Sequence, residues 1–166
     1  EELQQVFTQW NAGSLQSFLI EITADIFTQP DTEGSNSNSY LVDMILDKAG
    51  SKGTGKWTSQ EAMNLSVSLP TIDMAVALRD LSIYKQQRVQ ASRFKNSQTT
   101  EPIDKADLLT VLEEAIYFSF VIAYAQGLSL LAKASDDHHM QIPLGDVVSV
   151  WKRGCIIRSA MLNLFD

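Results

Sequence analysis

Apolar residues recur along this chain at the spacing of an α-helix, and nowhere do they alternate over a run bounded by turn residues as a strand would. Leu15, Phe18, Leu19, Ile22 and Ile26 share one helical face, with Ser14 placed to cap it and Pro30 to end it. Residues 40–49 repeat the pattern through Leu41, Val42, Ile45 and Leu46, and Gly50 is placed as a left-handed terminator. Thr58 and Glu61 read as a capping box, which predicts a helix starting just after Trp57. Pro70 opens a further helix through Ile72, Ala75, Val76 and Leu78, continuing with a break to Phe94. Asp104 caps a long segment, and residues 146–165 carry a last amphipathic stretch that includes Cys155. The polar run 28–39 and the prolines between segments read as loops and turns. The expected fold is all-α, a multi-helix domain with a long central buried helix.

That central segment carries no charge over its 18 positions from Ala115 to Ala132, nearly enough to span a bilayer. Ser119, Gln126, Gly127 and Ser129 interrupt it and its first turns are acidic, so the expectation is a core helix and no membrane contact. A length of 166 residues suits one domain, 1–166, with a full-sized core. A net charge of −7 argues against a general nucleic-acid binder. One cysteine and two histidines leave no multi-cysteine zinc pattern and little room for a histidine site. His138 and His139 read as a solvated turn, Cys155 as core, and Glu113 and Glu114 as surface charges; no metal ligands are expected.

Two features stand outside this structural reading. Residues 50–57 (GSKGTGKW) place three glycines and two lysines before a helix, where backbone N–H groups, cationic side chains and the helix dipole favour an anion. The run fits G-x-x-x-x-G-K, but Trp57 stands where a P-loop has the Ser or Thr that holds magnesium, so nucleotide hydrolysis is not expected. A flexible basic turn is the competing reading. Arg79 lies on a mostly apolar stripe (Ala75, Val76, Ile83) with no acid three or four residues away. Its partner is either a carboxylate on another helix or a bound phosphate gripped by the guanidinium fork.

The stretch 41–58 (LVDMILDKAGSKGTGKWT) resembles the signature of the decarboxylating 6-phosphogluconate dehydrogenases. Trp10-Asn11, residues 17–23 (SFLIEIT), 88–92 (RVQAS), 124–127 (YAQG) and 151–159 (WKRGCIIRS) extend the likeness from near Phe7 to the end. The resemblance implies an oxidoreductase that converts 6-phosphogluconate to ribulose 5-phosphate with NADP, working as a cytoplasmic homodimer. It implies that Lys52, Thr54 and Arg79 contact the substrate phosphate. It also implies that the NADP-binding Rossmann domain, the catalytic lysine and glutamate, and a C-terminal tail lie outside these residues, so no catalytic or cofactor-binding residue is assigned within them. Lys152-Arg153 departs from the Arg-Gly usual at that place. The start at Glu1 within a helical pattern suggests an excerpt, inactive alone. The alternative is a free-standing, non-catalytic helical module that binds a phosphosugar or a partner.

Overall fold

A computed structural model describes residues 1–32, 39–94 and 103–166, so part of the 28–39 loop and the turn at Pro102 lie outside the described residues. Among those described, the helices are α1 (Glu2–Asn11), α2 (Phe18–Ile26), α3 (Leu41–Met44), α4 (Thr54–Asn64), α5 (Pro70–Leu81), α6 (Lys85–Ala91), α7 (Lys105–Asp137) and α8 (Leu144–Gly154). A 3₁₀ helix, Ala160–Phe165, follows. The only bridges among the described residues are isolated, Ser17 with Ser159 and Pro30 with Tyr40, so the all-α expectation holds.

Pro70 does open α5, and Asp104 does cap α7, its carboxylate accepting from the Ala106 and Asp107 amides. Other boundaries moved. The first cap is Ser17, accepting from Ile20 N; Ser14 instead donates to Glu113. Residues 40–49 form one helical turn and then extend at Ile45, and Gly50 does not take a left-handed conformation. The final stretch breaks at Cys155, which is half-buried in extended backbone rather than mid-helix core.

The 33-residue α7 runs through two hydrophobic clusters. Trp10, Leu15, Ile20, Val148, Met161 and Leu162 gather on Tyr124. Ala62, Leu65 and Leu69 gather on Leu130. The helix is central without being buried all round: only 11% of its most apolar 18-residue window is buried, and Phe118 is 66% exposed. The expectation of a buried helix is corrected here, because α5, α8 and the 3₁₀ helix cover only part of its circumference. By length and composition alone α7 could cross a membrane.

Two polar side chains tie α7 to its neighbours. Gln126 Oε1 accepts from the Thr71 and Ile72 amides at 3.2 and 3.3 Å, and its Nε2 donates to Thr71 Oγ1. It thereby caps α5 from a distance, since Leu69 offers no side-chain cap. Tyr124 donates its hydroxyl to the Ile157 carbonyl at 2.6 Å, and burial pushes its phenol pKa up. Tyr124→Phe should cost about 1–3 kcal/mol, because the Ile157 carbonyl loses its donor. In the wild type, the raised phenol pKa means the fold holds this proton more tightly than the unfolded chain does. Stability should therefore fall as pH rises above about 10, a decline that thermal melts should show to be steeper in wild type than in Tyr124→Phe.

Candidate phosphate site at the start of α4

Gly53 is the one described glycine with a positive φ, +97°. That left-handed residue turns the chain into α4 four residues earlier than the capping-box reading expected. Thr58 is therefore inside the helix, its hydroxyl donating to the Thr54 carbonyl, and caps nothing. The misplacement matters for chemistry, because Thr54, Gly55 and Lys56 become the first turn of a helix rather than loop. No side chain caps that turn, so its free amides point outward with the positive end of the helix dipole. Just before it, Gly53 N donates to Ser51 Oγ.

Arg79 comes from the last turn of α5, and its side chain is 24% exposed. Nη1 lies against Gly55, so closely that a Cβ there would sit 3.0 Å from Nη1 and 2.9 Å from Val76 Cγ2. Nε and Nη2 both donate to Asp80 Oδ1, at 3.3 and 3.2 Å. The partner is thus neither on another helix nor three or four residues away: the flexible arginine stem curls back to its sequence neighbour. Asp80 is 62% exposed, and such a solvated pair contributes about 0–1 kcal/mol, so Arg79 can turn to a ligand cheaply. Lys52 is exposed and forms no ion pair or hydrogen bond among the described residues. Thr54 is exposed at one wall of an apolar groove of about 640 Å³ that runs between α4 and α7 past Ile72, Tyr124 and Trp151.

Arg79 thus packs on Gly55, the residue after Thr54, with Lys52 two residues upstream of Thr54. The sequence reading missed Gly55, whose lack of a side chain admits the guanidinium; a third glycine so close to two others was the only signal. It also missed Asp47 on the approach to the loop. Hydrogen bonding from Lys85 holds the Asp47 carboxyl below the usual carboxylate range, with the charges of Lys85 and Arg88 adding to the effect.

His138 and His139 are exposed, with His138 Nε2 3.4 Å from Glu61 Oε1. Glu113 and Glu114 line a shallow surface pocket with Ser14 and Tyr117. No cluster of three metal-ligating side chains occurs among the described residues.

The sequence profile of a family described as the 6-phosphogluconate dehydrogenase C-terminal domain matches residues 1–166. The chain belongs to this family. A 6-phosphogluconate dehydrogenase, decarboxylating, of Lactococcus lactis subsp. cremoris is 44% identical over 99% of this chain, and one of Oryza sativa is 47% identical over 98%. A relative in Bacillus subtilis described as NADP(+)-dependent and decarboxylating is 44% identical. The chain spans about 35% of the length of these relatives. Among solved structures, the Plasmodium falciparum 6-phosphogluconate dehydrogenase superposes with a TM-score of 0.86 at 40% identity. That match covers 98% of this chain and 35% of the other; the enzyme was solved in apo form, with NADP+ and with 6-phosphogluconate. The helical architecture is that of the 6-phosphogluconate dehydrogenase C-terminal domain.

Proposed function

We propose that these 166 residues are the helical part of an enzyme that oxidatively decarboxylates 6-phosphogluconate to ribulose 5-phosphate with NADP. In this reading Lys52, Thr54 and Arg79 hold the substrate's phosphate. The observation that carries it is the seating of the Arg79 guanidinium on Gly55, beside Thr54 and the uncapped first turn of α4. A lysine without a partner, a hydroxyl, free helix amides and a guanidinium tied only to an exposed neighbour are the donor set a phosphate dianion requires. The residues present do not fit an NADP site: no G-x-G-x-x-G follows a strand, since Thr58 takes the third glycine position after Gly53 and Gly55. We therefore assign this chain no step that involves the cofactor.

Large apolar side chains left bare support a second part of the reading, that the domain buries surface in a homodimer. Trp57, Met74, Leu78 and Phe118 are each more than half exposed. Because α7 links both hydrophobic clusters, 1–166 reads as one substrate-binding and dimerisation domain, in a cytoplasmic enzyme. The test is made on the complete encoded protein. It should reduce NADP when given 6-phosphogluconate, and Lys52→Gln should raise KM for that substrate by about tenfold while KM for NADP stays unchanged. The isolated 166 residues should not reduce NADP. An unchanged substrate KM in Lys52→Gln would remove Lys52 from the site.

A further inference from the structure

Lys52 and Arg79 sit on different elements, and the segment leading to Lys52 has no regular structure of its own beyond Met44. Its placement comes from side chains across the corner between α5 and α6. Asp47 Oδ1 accepts from Lys85 Nζ at 2.5 Å and Oδ2 from Arg88 Nη2 at 2.9 Å. Arg88 Nη2 also donates to the Asp47 carbonyl, and Nη1 to the Ser82 carbonyl, both at 3.2 Å. Ser82 completes the tie: its hydroxyl accepts from Ala49 N at 2.9 Å and donates to the Arg79 carbonyl at 2.6 Å. A continuous polar path thus runs from Ala49, three residues before Lys52, to the backbone of Arg79 itself.

We propose that Asp47, Ser82 and Arg88 form a positioning clamp that sets the Lys52 loop at a fixed spacing from Arg79, so that both cations meet one phosphate. This rests on the phosphate-site reading above. The three residues touch no substrate in this scheme; they act through Lys52 and Arg79. Individually such exposed pairs stabilise a fold very little. The forked arginine, however, contacts the backbone on both sides of the corner, which restricts geometry more than it adds energy.

The charge of Asp47 makes the clamp separable from its competitors. If Arg88 or Lys85 bound the phosphate directly, removing the neighbouring carboxylate would free a cation and lower KM for 6-phosphogluconate. The clamp requires the opposite sign. In the complete enzyme, Asp47→Asn and Ser82→Ala should each raise that KM by about fivefold, with KM for NADP and kcat nearly unchanged. The double variant should be worse than either single one, because the Asp47–Arg88 tie and the Ala49–Ser82–Arg79 tie hold the loop in parallel. Melting midpoints within a few degrees of wild type would show that the fold is retained. A lowered or unchanged KM in Asp47→Asn, or an unchanged KM in Ser82→Ala, overturns the clamp. Arg79→Ala, measured alongside, separates the two readings. If it leaves the substrate KM unchanged, the phosphate site itself fails; if it raises KM while Asp47→Asn does not, only the clamp fails.

Discussion

Arg79→Ala in the complete enzyme should raise KM for 6-phosphogluconate by about 10- to 100-fold, the loss of charge-assisted hydrogen bonds worth about 1.5–3 kcal/mol. KM for NADP should not follow, since the proposed contact is to the substrate's phosphate. The structure keeps the control clean. The only ion pair Arg79 makes among the described residues is the one to exposed Asp80, so its removal should lower the melting midpoint only slightly. Arg79→Lys adds a finer readout. A lysine preserves the charge but not the planar fork, and should recover only part of the affinity. Equal substrate KM in wild type and Arg79→Ala would take the guanidinium out of the site.

Gly55→Ala carries the second large effect, and its sign is the informative part. An alanine inside a helix is ordinarily more stabilising than glycine, by about 0.5–1 kcal/mol. Here the new methyl would stand 2.9 Å from Val76 Cγ2 and 3.0 Å from Arg79 Nη1. The guanidinium can swing aside, but Val76 is β-branched and fixed on α5, so α4 and α5 must separate. We expect a net destabilisation of about 1–3 kcal/mol together with a raised KM for 6-phosphogluconate, as overpacking displaces Arg79. Gly145→Ala, in α8 with nothing within 4 Å of its would-be Cβ, is the matched control and should be neutral or stabilising. A stabilised Gly55→Ala with unchanged kinetics would show that the close approach has no consequence.

The parts of this fold written in short-range chemistry were readable from the chain. Pro70 and Asp104 mark helix starts because ring geometry and a capping carboxylate act within three residues. Residues 40–49 misled because their apolar spacing fits a helical face, yet Leu41, Met44, Ile45 and Leu46 are all exposed and the segment is held by contacts 33 to 41 residues away. Thr58 and Glu61 misled for a different reason. T-x-x-E also occurs inside helices, and only the positive φ of Gly53 decides where α4 begins. Within the site, the loop's lysine and glycines were visible as an oddity of composition. The meeting of Arg79 with Gly55 was not, because it joins residues 24 positions apart through α5 packing on α4. The family resemblance supplied Arg79's assignment to phosphate, and the geometry supplies what the resemblance could not: a glycine that makes room for it.

Gln126 gives the long apolar helix something that apolar packing alone withholds. Greasy surfaces tolerate sliding, and a helix gripped only by leucines and aromatics has near-equivalent settings one turn apart. With one side-chain amide holding the first free N–H groups of α5, any rotation or slip of α7 strands those groups without an acceptor. The long helix is thereby indexed to the helix that carries Arg79, and two flanking cores that never share a residue are held to one common register.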